Sequence, residues 1–253
     1  MKLYELDAFF KKNLPIEGMR ALDNSLNGLQ VGDFEQDVKK IAYAVDASLT
    51  SFELAKEKGA DLLFCHHGIF WGRQEAVVGT LYDRISFLTN NRLALYAVHL
   101  PLDMDLTLGN NAGIARAIGL KDIRPFDMLD SRYHVGVQGE LAEEISLQEL
   151  VAIFPGQGER YMLWPFGKKT VKKVAIISGG GGASLLEAAR EGTDLFITGE
   201  ILHQHYHMAL EEKINVLAAG HYFTETFGVR AVMEHTEKEL GIPGVFLEIP
   251  TGL

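Results

Sequence analysis

One cysteine, Cys65, stands in the whole 253-residue chain. No internal disulfide can staple this fold, and any metal site must be built without a thiolate cluster. Long apolar runs are also missing, so the sequence offers no segment to cross a bilayer. The N-terminal Met1-Lys2-Leu3-Tyr4-Glu5-Leu6-Asp7 puts acids where a signal peptide needs uninterrupted apolar residues. Together these features point to a cytoplasmic protein without a membrane partner. Basic charge is in short supply: 24 Lys+Arg against 34 Asp+Glu leave a net charge of −10. That balance argues against long DNA or RNA bound through phosphate neutralisation. A nucleotide stays open, because a bound dication inverts the local field. Low-complexity segments, coiled-coil heptads and disordered tails are lacking too. What remains is an ordinary globular composition, 47% hydrophobic and 23% charged, enough for one large or two modest domains.

Four apolar segments run straight into histidines and carboxylates. Leu62-Leu63-Phe64-Cys65 delivers His66-His67, and Leu93 to Val98 delivers His99 with Asp103. Leu195-Phe196-Ile197-Thr198 delivers Gly199-Glu200, and Val216 to Gly220 delivers His221 with Glu225. Imidazole and carboxylate are the ligands of first-row divalent metals where thiolates are absent. In open α/β sheets ligands bind beyond the carboxyl ends of strands. The expectation is one shared metal site at these strand ends.

The chain also repeats itself. Val38-Lys39-Lys40-Ile41-Ala42 returns as Val171-Lys172-Lys173-Val174-Ala175, and Gly59-Ala60-Asp61-Leu62-Leu63-Phe64 as Gly192-Thr193-Asp194-Leu195-Phe196-Ile197, both 133 residues on. Each copy reads as strand, helix, strand. The first helix starts at Thr50 with Glu53 as its capping-box acid and stops at Gly59; the second runs from Ser184 to Gly192. A second frame of 122 residues carries His99 to His221 and Asp103 to Glu225. The fold class expected is therefore α/β: two pseudo-repeated lobes with largely parallel or mixed sheets and a metal cleft between them. The lobes are placed at residues 1–126, with the C-terminal segment as a possible completing piece, and 127–253. Further helices are expected over Leu3–Lys12, Leu81–Thr89, Asn111–Ile118, Ser146–Phe154 and Phe223–Leu240, and further strands over Tyr133–Leu141, Arg160–Trp164 and Gly244–Ile249.

Each site residue has a plain alternative. His66 and His67 diverge if strand geometry persists, so each could serve one of two metals; alternatively they are turn histidines bonded to carbonyls. His221 and Glu225 lie at i and i+4 on one helix face, with Glu225 the candidate bridge between two cations; the alternative is a helix-start histidine beside an acid. Asp103 reads as a terminal ligand. His99 either ligates or holds Asp103 from behind, and the second role is preferred. Glu200 could ligate, act as general base or cap a helix. Among His203, His205 and His207, the first and last share a helix face, which reads as solvated. Gly179-Gly180-Gly181-Gly182 fits neither G-x-G-x-x-G nor a Walker loop; it either cradles a phosphate or permits a tight turn at the site. Cys65 reads as a buried structural thiol.

Taken together, Asn24-Ser25-Leu26-Asn27-Gly28-Leu29-Gln30-Val31-Gly32, His66-His67-Gly68, His99-Leu100-Pro101-Leu102-Asp103 with Gly109-Asn110-Asn111, Thr198-Gly199-Glu200, and Gly220-His221 to Glu225 resemble the type 2 GTP cyclohydrolase I family, whose relatives are also named for an interacting partner of a transcription coactivator. The chain is similar to a short form without the domain that longer members insert between the halves. The resemblance implies a two-lobed α/β fold in a ring-shaped hexamer, with two divalent cations per subunit held by His66, His67, Asp103, His221 and Glu225. The metal is left open among Zn, Mn, Fe, Co and Ni. The function it implies is metal-assisted hydrolysis of a purine nucleotide, GTP to dihydroneopterin triphosphate plus formate, with Glu200 or His99 shuttling protons. Two other readings keep the same residues: a metal-dependent phosphatase or phosphodiesterase, and a non-enzymatic metal-binding scaffold.

Overall fold

The computed structural model describes residues 1–19, 21–154 and 161–253. Following the chain, the elements are α1 (Leu3–Asn13), β1 (Gly28–Val31), β2 (Ile41–Asp46), α2 (Leu49–Glu57), β3 (Leu62–His67), α3 (Gly79–Asn90), β4 (Ala94–Ala97) and α4 (Leu100–Met104). Next come α5 (Asn110–Ala117), β5 (Lys121–Met128), β6 (His134–Ser146), α6 (Leu147–Ile153), β7 (Met162–Pro165), β8 (Thr170–Ile177), α7 (Leu185–Arg190), β9 (Leu195–Thr198), α8 (His205–Glu212), β10 (Asn215–Ala218), α9 (His221–Thr224), α10 (Thr226–Leu240) and β11 (Gly244–Phe246). Two compact units result: residues 1–102 with 229–249, and residues 103–228 with 250–253. The expected boundary at 126 thus moves to 102, because β5 pairs antiparallel with β6 as the edge of the second unit's sheet.

Both sheets are mixed. The first has the order β1-β4-β3-β2-β11 and the second β5-β6-β8-β9-β10-β7. In the first, β2, β3, β4 and β11 are parallel and β1 runs antiparallel to β4. In the second, β8, β9 and β10 are parallel while β7 runs antiparallel to β10. The segment β1-β4-β3-β2 therefore has the same order and directions as β7-β10-β9-β8, so the repeat embraces four strands.

Alternation decides what each strand buries. In the second unit Val174, Ile176, Leu195, Ile197 and Leu217 enter one core cluster, while Ala175, Ile177, Phe196 and Val216 enter another. Both faces are dry, as parallel sheets require. In the first unit Ala42, Ala44, Leu63, Cys65 and Leu95 join Phe52 of α2 in one cluster. The opposite face carries Tyr43, Phe64 and Tyr96, with Phe10 of α1 lying 5.1 Å from Phe64 and 4.9 Å from Tyr96 between ring centroids. Cys65 is fully buried and burial pushes its thiol above the ordinary range, which makes it a poor nucleophile.

The repeat extends to its backbone anchors. Asp61 accepts from the Lys39 and Lys40 amides at 2.8 and 3.2 Å, and Asp194 accepts from those of Lys172 and Lys173 at 3.1 and 3.0 Å. The 133-residue frame is thus a structural equivalence. The 122-residue frame is not. Strand register pairs Leu62 with Ala94 and Leu195 with Asn215, so His99 aligns with Gly220, and His221 follows one residue later. Gly220, at φ +96°, supplies a conformation L-residues avoid.

Other expectations shift locally. Helix α2 is capped by Ser48, whose hydroxyl accepts from the Ser51 amide, not by Thr50 and Glu53. The helix expected from Phe223 is interrupted at Glu225, between α9 and α10. The Arg160–Trp164 strand is found as Met162–Pro165, Arg160 itself lying outside the described residues. His205 is buried beneath Gly182, while His203 and His207 are exposed.

Candidate metal centre

In the first unit three parallel strands end side by side, and their carboxyl ends present Asp46, His67 and His99 in neighbouring positions. His66 is fully buried at the end of β3, and its Nδ1 lies 2.9 Å from the Val98 carbonyl oxygen. A carbonyl only accepts, so Nδ1 carries the proton and Nε2 is the nitrogen with a lone pair a metal could use. His67 Nδ1 donates to Asp46 Oδ1 at 2.8 Å, and His99 Nδ1 to Asp23 Oδ1 at 2.9 Å. All three rings are therefore fixed in one tautomer. One ring nitrogen from each of His66, His67 and His99 lies within 4.8 Å of the other two. Metal-ligating imidazoles are held this way, by an oxygen on the far nitrogen.

The polar loop before β1 does more than line a site. Asp23 Oδ2 accepts from the Leu100 amide at 3.0 Å and from Asn27 Nδ2 at 2.8 Å, while Asn27 Oδ1 accepts from the His99 amide at 2.7 Å. Burial would raise the Asp23 carboxyl, but the His99 hydrogen bond and charge, with Asn27 and the Ser25 amide, hold it below its ordinary value. It is thus an anion at neutral pH, 1% exposed at the side chain. The structure gives His99 this partner, Asp23, where the sequence suggested Asp103.

The second unit carries the carboxylates. Asp103 is buried, and its Oδ1 accepts from Asn110 Nδ2 and Ser178 Oγ, each at 2.9 Å. Asn111 ties the same turn, donating to the Asp103 carbonyl at 3.0 Å and accepting from the Ser178 amide at 2.7 Å. His221 stands between two acids, Nδ1 at 2.7 Å from Glu200 Oε1 and Nε2 at 3.1 Å from Glu225 Oε1. The Glu225 hydrogen bond, partly opposed by burial and joined by the charges of Glu225 and Glu200, pushes His221 up to about 9. A metal held there would take the place of the Nε2 proton. Glu225 is 3% exposed, and protonated His221 at 3.1 Å offsets the desolvation cost of its carboxylate. Glu200 serves as the carboxylate behind His221, a positioning contact that its side-chain type and strand-end place alone do not reveal.

The repeat explains why the two donor sets differ. Gly199 stands where the first unit has His66, and a Cβ there would lie 2.7 Å from the Gly179 carbonyl and from Thr224 Oγ1. No side chain fits. Gly179 stands where the first unit has Asp46; its φ is +59°, and a Cβ would fall 2.2 Å from Glu225 Oε1. The first glycine of the tetraglycine loop therefore makes room for the donors. The amides of Gly179 and Gly181 are occupied by Thr224 Oγ1 and Thr198 Oγ1, each at 3.0 Å, so these two are committed to holding the turn.

The residues fit a divalent metal. In the first unit three imidazoles have Nδ1 on an oxygen, and in the second one imidazole does beside two buried carboxylates; each group offers nitrogen or oxygen donors suited to first-row ions. Asp46 and Ser178 escaped the sequence reading, and Asp23 and Asn110 entered it only within polar motifs, without the contacts they make.

The chain is 40% identical to the GTP cyclohydrolase 1 type 2 homolog of Treponema pallidum, with 100% of both chains covered. It is 44% identical to that of Deinococcus radiodurans over 91% of this chain and 88% of the relative. Among solved structures, "protein ybgI, unknown function" superposes with a TM-score of 0.91 at 34% identity over 100% of both chains. TTHA1606 from Thermus thermophilus does so at 0.90 and 38%, again over 100% of both. Residues 1–251 match the family described as Duf34/NIF3 (NGG1p interacting factor 3), to which this chain belongs.

Proposed function

We propose that the chain is a dinuclear-metal-dependent hydrolase acting on a purine nucleotide, converting GTP and water to dihydroneopterin triphosphate and formate, as a cytoplasmic homohexamer. The observation that carries this reading is the common state of the four imidazoles: His66, His67, His99 and His221 each have Nδ1 engaged by an oxygen. The names of the curated relatives supply the substrate.

His66, His67, Asp103, His221 and Glu225 would hold the two cations, Zn, Mn, Fe, Co or Ni. Such ions acidify water and polarise an electrophile. Asp46 and Glu200 orient His67 and His221, and Asn110 with Ser178 keeps the Asp103 carboxylate aimed. His99, backed by anionic Asp23, is the proton-transfer group: its imidazole can take a proton as imidazolium and return it.

The test is metal analysis of the purified protein combined with a formate assay on GTP. Two cations per chain and formate release that disappears in His66→Ala are expected. Absence of formate above the His66→Ala control would overturn the reaction, and protein that takes up no divalent metal would overturn the centre.

A further inference from the structure

The turn after His67 holds an aromatic ring in a place that packing does not require. Trp71 is 39% exposed and is not part of the core cluster around Phe52. Yet it is anchored twice. Its Nε1–H donates to the Gly68 carbonyl at 3.0 Å, and its backbone forms an isolated antiparallel bridge with Ser25. The indole centroid lies 5.0 Å from that of His99, nearly perpendicular at 77°, and 5.9 Å from that of His67 at 49°. These are two of the three imidazoles whose ring nitrogens converge.

We propose that Trp71 forms a stacking subsite that holds a planar heteroaromatic ring of the substrate beside His67 and His99. The inference rests on the reading that the substrate is a purine nucleotide, and it names what grips the base. A water-exposed indole carries the largest π surface among side chains, and its rigid mounting removes most of the ordering cost of binding. Its one polar handle is spent on Gly68, so what the exposed part of the ring offers a ligand is π surface rather than a hydrogen bond. Recognition by a face is tolerant of base identity, because every purine presents one. The subsite should thus hold guanine and adenine alike, leaving discrimination to other groups.

The experiment uses the metal-loaded full-length protein and three probes: guanosine 5′-monophosphate, adenosine 5′-monophosphate and ribose 5-phosphate, which lacks the ring. Calorimetry and tryptophan fluorescence should show saturable binding of both nucleotides with indole quenching, and much weaker binding of ribose 5-phosphate. Trp71→Ala should lose roughly ten- to a hundredfold in affinity for both nucleotides, the loss expected for one base–aromatic stack. Trp71→Phe should retain most of it, and metal content per chain should be the same in all three proteins. Equal nucleotide affinity in wild type and Trp71→Ala overturns the subsite, as does wild type that binds neither nucleotide better than ribose 5-phosphate. The two readings separate cleanly. Formate release from GTP with an unchanged KM in Trp71→Ala sinks the stacking alone, whereas ring-dependent binding without formate release sinks the hydrolysis and leaves the stacking in place.

Discussion

The state of an imidazole is decided on the side away from its ligand. His67 would be an ordinary half-buried histidine if Asp46 did not take its Nδ1–H at 2.8 Å; with that bond the ring cannot flip and Nε2 is always the nitrogen presented. Removing such an outer partner typically weakens metal binding by roughly 10- to 100-fold. Asp46→Ala should show that loss in a chelator-competition titration, while Asp46→Asn, which keeps an acceptor oxygen, should lose less. Equal affinity in all three proteins would mean that Asp46 does not set the tautomer. The candidate donors can be picked out in the sequence because they come after apolar strands. Their supports cannot. Asp46 is 21 residues from His67 and Asp23 is 76 from His99, and no local pattern encodes contacts that only strand order creates.

At the scale of elements, the legible part was what the repeat preserves in backbone chemistry. Lys-Lys followed by a distant Asp marks a strand start pinned by a carboxylate, and it appears in both copies in the same frame. Slippage in the second frame had a single cause, Gly220, an insertion of one residue that periodicity cannot locate. Strand β5 went unseen because its burial pattern is mostly exposed and it contains Pro125, so neither alternation nor composition announced it. The pinning carries a testable stability. Burial would raise the Asp194 carboxyl, but Lys168 and the amides of Lys173 and Lys172 bring it below its ordinary value. Asp194→Ala strands two amides and should cost about 1–3 kcal/mol in urea unfolding at neutral pH. Lys168→Ala, removing only an exposed cation, should cost under about 1 kcal/mol. A depressed carboxyl stabilises above its unfolded pKa and loses that stability as pH falls through the folded one. The gap between wild type and Asp194→Ala should therefore close as the solution is acidified below about pH 4; a gap that persists at about pH 2, below the ordinary carboxyl range, would assign the effect to packing.

For the molecule as a whole, the proposed donors are drawn from distant stretches of chain: two imidazoles before residue 100, and two carboxylates with one imidazole after it. Either each set works alone or both serve one centre, and energetics distinguishes the two cases without reference to shape. A ligand that binds only the folded state stabilises it by about 2.7 kcal/mol at a hundred times its dissociation constant. In a chain of this size that is a rise of roughly 5–10 °C in Tm. Chelation should therefore lower Tm by several degrees, and re-addition of the cation should restore it. His67→Ala and Glu225→Ala should each abolish most of that shift. If they act on one centre, the double variant loses no more than either single one, giving a coupling energy nearly as large as the single effects. Losses that add, with each single variant keeping about half of the bound metal and half of the shift, would show two independent sites and would dismantle the dinuclear reading.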